Sequence, residues 1–241
     1  MSFTTWTPLA LQSRARHWQG SLWRVVDAKY TAGAMKLVDS REEQDILDRL
    51  LLSRRPALPE VFSDLHPVLA APFQTHPLRT GSRFRAATDP GVFYGVLAVD
   101  TACAEQGYWR WKFLNDAIEL AEIAPVAHTA FKCEVATQAI DLRERLFARD
   151  VGQWMHKTSY SATQVLALSA RSANLGAIRY ASVRDPVQGE CVALLTPAAF
   201  ASPLPHPVRE TWWLRVRRDE VVWRCEQRSL VFSSESWQSN Q

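Results

Sequence analysis

Residues 81–105 read GSRFRAATDPGVFYGVLAVDTACAE. The order is a basic loop, a turn at Asp89-Pro90-Gly91, a short apolar run, and Asp100-Thr101 ahead of a polar-apolar stretch. This predicts a buried strand over residues 92–98, followed by a helix that Asp100-Thr101 caps and that runs through Glu105 towards Leu120. Arg83 precedes the turn, Tyr94 stands eleven positions on, and Glu105 eleven beyond that. A cation, a phenol and a carboxylate therefore arrive from three consecutive elements, and a strand–turn–helix unit can converge them on one cleft. Such a cleft suits a ligand with both anionic and developing cationic character. Ala102, Cys103 and Ala104 are small enough for close packing around Glu105, while Tyr108, Trp109, Trp111 and Phe113 have the helical spacing of core residues.

Upstream, residues 1–20 show no clear period and read as a lead-in laid on the surface. Leu22-Trp23-Arg24-Val25-Val26 has the composition of a strand with a charge inside it. Arg24 needs a partner or a ligand if it is buried, and otherwise faces solvent from an edge strand. Ser40 with Glu42, Glu43 and Asp45 reads as the start of an amphipathic helix carrying Ile46, Leu47, Leu50 and Leu51, which Pro56 and Pro59 stop. Residues 56–80 hold five prolines and two histidines, His66 and His76, and read as irregular. The histidines lack the spacing and carboxylate partners of a metal site, so no metal is expected.

Downstream, residues 129–136 read as a strand, 141–150 as a charged loop or short helix, and 160–174 as an amphipathic helix ending at Asn174-Leu175-Gly176. Two strands near 177–180 and 191–196 flank a loop whose polar members are Ser182, Arg184 and Asp185. Residues 211–216 and 221–225 alternate around Arg217-Arg218-Asp219-Glu220 as a hairpin, within a C-terminal extension near 207–232. The tail from Ser233 is polar and is expected to fray.

A chain of 241 residues can bury one sizeable core, and the expectation is a single domain over 1–241 with a helical insertion near 40–80. A net charge of only +3 gives no electrostatic case for nucleic acid. No apolar run reaches the roughly 18 residues of a membrane span. The widely spaced Cys103, Cys133, Cys191 and Cys225 match no zinc pattern. With no secretory segment legible they are expected to be reduced thiols in a cytoplasmic protein. The ten tryptophans point to core or interface anchors, Trp212-Trp213 being a candidate partner surface, without specifying an activity.

No G-x-S-x-G elbow accompanies Ser182, and neither a phosphate-binding loop ending G-K-[ST] nor G-x-G-x-x-G occurs, which disfavours serine hydrolysis, P-loop chemistry and Rossmann hydride transfer. What remains is arginines, an aromatic, a lone carboxylate and a serine. One chemistry that fits is cleavage of the nicotinamide–ribose bond of NAD. The carboxylate can hydrogen-bond ribose hydroxyls and stabilise oxocarbenium charge, with no acid required because nicotinamide leaves from a cationic ring. Arginines suit the pyrophosphate. Each residue also has a plainer reading: Arg83 paired with Asp89 or Asp185, Tyr94 in the core, Glu105 solvated on its helix, Ser182 in a turn.

GSRFRAATDPGVFYGVLAVDTACAE resembles the G-G-R-W…Y-x-A…T-A-x-x-E core of the RES-domain family. RYASVRDP…ECVALLT resembles that family's later segment, and SLWRVV with MKLVDSREEQ the opening of its longer members. The arginine, glutamate and serine that give the family its name match Arg83, Glu105 and Ser182. The resemblance implies an α+β fold, an ADP-ribosyltransferase-like mixed core of short sheets with flanking helices around an NAD cleft. It implies an NAD-degrading toxin of a bacterial toxin–antitoxin pair, acting as glycohydrolase or phosphorylase, with NAD as substrate and no permanently bound cofactor. The implied partner is a Xre-type antitoxin that covers the site. The alternatives are mono-ADP-ribosyl transfer to a protein, or a degenerate module that only binds its antitoxin. Carried over, Arg83 contacts NAD phosphate or ribose, Tyr94 packs on the nicotinamide side, Glu105 stabilises the ribosyl cation and Ser182 closes the pocket. The family's second glycine and tryptophan are Ser82 and Phe84 here. Its upstream arginine matches Arg24, or else falls in PFQTHPLR, where Gln74-Thr75 replace an Arg-Tyr pair and either Arg79 substitutes or no residue fills the role.

Overall fold

The computed structural model describes residues 6–28, 64–74 and 81–238. The helix expected after Ser40, and the residues Thr75, His76 and Arg79, lie outside them. The described chain is α+β. Strand β1 (Arg16–Asp27) and the 19-residue β3 (Ile123–Asp141) pair antiparallel along all of β1. Strand β2 (Phe93–Val96) meets β1 at Trp23 and pairs antiparallel with β5 (Glu190–Leu194). The hairpin partner of β5 is β4 (Ala177–Ala181), which runs parallel to the last residues of β3. The pairings β1–β2–β5–β4–β3–β1 thus close on themselves, so strands that would otherwise be edges are paired. The other half of β3 carries β6 (Arg209–Val216), β7 (Glu220–Cys225) and β8 (Arg228–Ser233) as an antiparallel meander.

Strand alternation divides the core. Along β5, Cys191 and Ala193 join one apolar cluster, while Val192 and Leu194 join the other, so the strand is buried on both faces. The first cluster is covered by the helices α3 (Val99–Asp116) and α5 (Ser161–Ser172), which follow α2 (Pro67–Gln74) and α4 (Val151–Trp154) in the chain. The second is covered by Leu69 and Phe73 of α2 with Ala199 and Phe200. Phe200 stacks edge-on against Phe93 and Phe73, at 5.1 and 6.3 Å. Gly91 allows that approach: a Cβ there would sit 2.1 Å from the Pro72 carbonyl oxygen. Among the described residues no helix is long and apolar enough to cross a membrane.

Several local expectations are corrected. Residues 1–20 are not a featureless lead-in where described: α1 (Pro8–Gln12) starts at a Thr7 cap, and β1 begins at Arg16. Part of the segment expected to be irregular forms α2, because Pro67 sits in the first turn, where its missing N–H is not needed. The C-terminal hairpin gains a third strand and is continuous with β3. The tail does not fray at Ser233. It forms α6 (Glu235–Gln238), because Trp237 buries its indole against Tyr108, Trp111 and Phe232. Trp212 and Trp213 are no joint patch: on adjacent strand positions they face opposite ways, Trp212 buried and Trp213 exposed. All four cysteines are free thiols and buried.

Candidate active site

The converging unit forms as the sequence implies, with one change at the helix start. Asp100 and Thr101 lie inside the first turn of α3, whose cap residue is Ala98 with no side-chain bond. Thr101 is buried and turns its hydroxyl to Asp185 Oδ2, 2.7 Å away, tying α3 to the β4–β5 loop. A buried hydroxyl takes the acceptor that tertiary packing offers. The loop then presses on the helix: a Cβ on Gly189 would lie 2.1 Å from the Thr101 hydroxyl oxygen.

A cleft of about 240 Å³ opens between β1, β2 and α3, and Arg24, Arg83, Tyr94 and Glu105 all line it. Ser182 does not: it is fully buried behind Glu105. Its hydroxyl donates to Glu105 Oε1 at 2.6 Å and accepts the backbone N–H groups of Arg184 and Asp185 at 3.1 and 3.0 Å. With both acceptor positions filled, the one proton of Ser182 is directed at the carboxylate. Burial pushes the Glu105 carboxyl above the ordinary range. The Ser182 bond and the Arg83 and Arg184 charges oppose that push, and Asp185 adds to it.

Arg83 is almost wholly buried, with Nη1 donating to the Trp154 carbonyl at 2.8 Å and its guanidinium 4.8 Å from the centre of the Tyr160 ring. The Thr163 hydroxyl donates to the Arg83 carbonyl at 2.5 Å, anchoring the loop to α5. Neither Asp89 nor Asp185 pairs with it. No ion pair among the described residues includes Arg24, Arg83 or Arg184. Three guanidiniums thus face one cleft with Glu105 as its carboxylate. Tyr94 binds the loop that carries Arg83: its hydroxyl is 2.8 Å from Ser82 Oγ and accepts the Phe84 N–H at 3.0 Å. Burial raises its phenol. The reading of Arg24 as a solvent-facing edge residue is corrected, since β1 has β3 on one side and β2 on the other. Arg24 lies over the Phe93 ring, 4.6 Å from its centre, and donates Nη1 to the Tyr94 carbonyl at 3.1 Å. Burial lowers its guanidinium to about 10.

Sequence reasoning missed three contributors. Arg184 stands two residues after Ser182 and lines the cleft. Tyr180 does so from β4, where strand alternation from Ile178 was the available signal. Trp109, expected in the core, is about half exposed at the cleft, one helical turn beyond Glu105. Phe113, one turn further, is exposed as well. Among the described residues no group of His, Cys, Asp or Glu is arranged to hold a metal ion.

A chain of the crystal structure of the M. tuberculosis MbcT–MbcA toxin–antitoxin complex is similar at a TM-score of 0.45 and 11% identity, covering 98% of this chain and 97% of that one. No curated protein matches this chain. The RES domain family model matches residues 57–217, about two thirds of the sequence. That span contains Arg83 and Glu105 on the cleft and Ser182 behind Glu105, and the chain belongs to the RES domain family.

Proposed function

We propose that this chain consumes NAD by cleaving its nicotinamide–ribose bond, with water or phosphate as acceptor and toxin-like consequences in a bacterial cytoplasm. The observation that carries the reading is Glu105: a carboxylate on the wall of a cleft lined by guanidiniums, aimed by a buried serine. Family membership supports the same chemistry. In the reaction the bond from ribose C1′ to the nicotinamide nitrogen breaks, and its electron pair neutralises the pyridinium ring. The Glu105 carboxylate stabilises the oxocarbenium charge left on the ribose and accepts a hydrogen bond from a ribose hydroxyl. An oxygen of water or phosphate then bonds to C1′, giving ADP-ribose and a proton, or ADP-ribose phosphorylated at that same carbon. Arg83 and Arg24 supply positive charge for the pyrophosphate. Tyr94 fixes the Arg83 loop and offers its ring to the nicotinamide side. Ser182 acts through Glu105.

The partner implied by this reading is a Xre-type antitoxin. The half-exposed Trp109 at the cleft and the exposed Phe113 beside it offer an apolar rim for a covering protein. The test is NAD loss by purified protein with and without phosphate, beside Glu105→Gln. Loss that requires phosphate makes the enzyme a phosphorylase, and loss without it a hydrolase. Added mass on protein would redirect the reading to ADP-ribosyl transfer. No loss and no automodification, with folded protein, would leave only the antitoxin-binding role.

A further inference from the structure

Arg184 is a cleft cation outside the arginine, glutamate and serine set of Arg83, Glu105 and Ser182. It is 3% exposed, and a guanidinium so buried is costly unless its donors are met. One of its five N–H groups meets the Lys157 carbonyl, through Nη2, and its plane covers the Tyr108 ring at 3.5 Å. The other side-chain donors have no acceptor among the described residues and belong to a group that lines the cleft beside Glu105. The backbone of Arg184 is held from elsewhere. Its carbonyl accepts the indole N–H of Trp237 at 2.8 Å, and Lys157 Nζ donates to the Ser236 carbonyl at 3.3 Å. Arg184, Trp237, Ser236 and Lys157 thus close a circuit that fastens α6 to two cleft loops. Tyr108 joins it, meeting the Trp237 ring edge-on at 5.7 Å and the guanidinium with its face.

We infer that Arg184 binds a phosphate oxyanion in the cleft, and that Trp237 of the C-terminal helix α6 is the positioning residue that aims it. The natural ligand rests on the NAD reading above, whereas the oxyanion rests on the geometry. An arginine held at its backbone carbonyl and at one side-chain nitrogen presents the remaining guanidinium edge in one orientation, which favours a bidentate contact. Two phosphate chemistries fit, the pyrophosphate bridge of a dinucleotide and a free phosphate.

The test is calorimetric titration of the full chain with inorganic pyrophosphate and, separately, with inorganic phosphate. Wild type, Arg184→Ala, Trp237→Phe and the double variant are compared. Trp237→Phe keeps an aromatic ring against Tyr108 and Phe232 and deletes the N–H. Arg184→Ala should weaken binding at least about tenfold, the scale of a lost charge-assisted bond, and Trp237→Phe by about threefold or more. The double variant should bind no more weakly than Arg184→Ala alone, because the indole acts through the arginine. Lys157→Met, which breaks the link to Ser236 but keeps the Lys157 carbonyl, should act in the same direction and be equally silent without Arg184. It serves where Trp237→Phe does not fold. A loss confined to pyrophosphate assigns the dinucleotide bridge, and a loss confined to phosphate the free anion. Wild-type affinity in Arg184→Ala, no binding of either anion to wild type, or an undiminished Trp237→Phe effect in the Arg184→Ala background would overturn the inference. The expected variant pattern in a protein that leaves NAD intact would sink the NAD reading and keep this one. NAD loss with unchanged anion binding in Arg184→Ala would do the reverse.

Discussion

Replacing Ser182 with alanine removes one donor to Glu105 and the acceptor of two backbone N–H groups, without touching the cleft lining. A hydrogen bond to a charged group contributes about 1.5–3 kcal/mol, and it favours the ionised carboxylate. The Glu105 carboxyl is already above its ordinary range through burial, and the Ser182 bond is foremost among the influences that hold it down. Its loss shifts the protonation balance by about tenfold for each ~1.4 kcal/mol. On the acid side of the activity profile the variant should therefore lose roughly 10–150-fold in NAD turnover. The loss should shrink as pH rises and the carboxylate ionises again, so the acid limb moves to higher pH. The assay is the rate of NAD loss across pH, with thermal melting to follow the fold. The two orphaned N–H groups should lower stability by about 1–3 kcal/mol each at most, less where the loop lets water reach them. An unchanged profile, or a loss of equal size at every pH in a folded protein, would refute the argument that Ser182 acts through the ionisation of Glu105.

Glu105→Gln should reduce NAD turnover by at least about a hundredfold, the scale of one lost electrostatic stabiliser, as measured under saturating NAD. It should not lower the melting temperature. The Gln oxygen can still accept from Ser182, and the wild-type carboxyl, raised by burial, loses stability as pH rises through its folded value. The gap in melting temperature between the variant and wild type should thus widen in the variant's favour from acid to neutral pH, and the opposite trend in a pH series would contradict it. In wild type, activity should rise with pH along a single limb lying above the ordinary glutamate value of 4.5, read from the rate profile. Gly189→Ala should destabilise the protein by about 1–3 kcal/mol, the cost of overpacking, or about 2–12 °C in melting temperature, because the new methyl meets the Thr101 hydroxyl at the helix–loop tie.

Much of the scaffold was legible because its signals are local. The Pro-Gly turn, the apolar spacing of α5 with Asn174 in the left-handed conformation after it, and the hairpins β4–β5 and β6–β7 each follow from neighbouring residues. The motif spacing also placed Arg83, Tyr94 and Glu105 on one cleft. The full length of β3 was not legible. Pro125 and the polar pair Thr137-Gln138 lie on either side of the legible stretch 129–136, and only its partners on both sides hold the strand extended through them. Nor was the capping role of Thr101 excluded by sequence, since the acceptor that captures its hydroxyl is 84 residues away.

The sequence by itself determined which side chains are brought near one another by a single turn: the arginine, the phenol and the carboxylate of residues 81–105. Tertiary structure alone decided what each of them faces. It placed Ser182 behind Glu105 rather than across the cleft from it, enclosed Arg24 between β2 and β3, and carried Trp237 from a polar tail into contact with Arg184. The physical reason is that a hydrogen bond or a buried charge depends on where distant segments pack, and closure of the β1–β2–β5–β4–β3 ring sets that packing once for all of them.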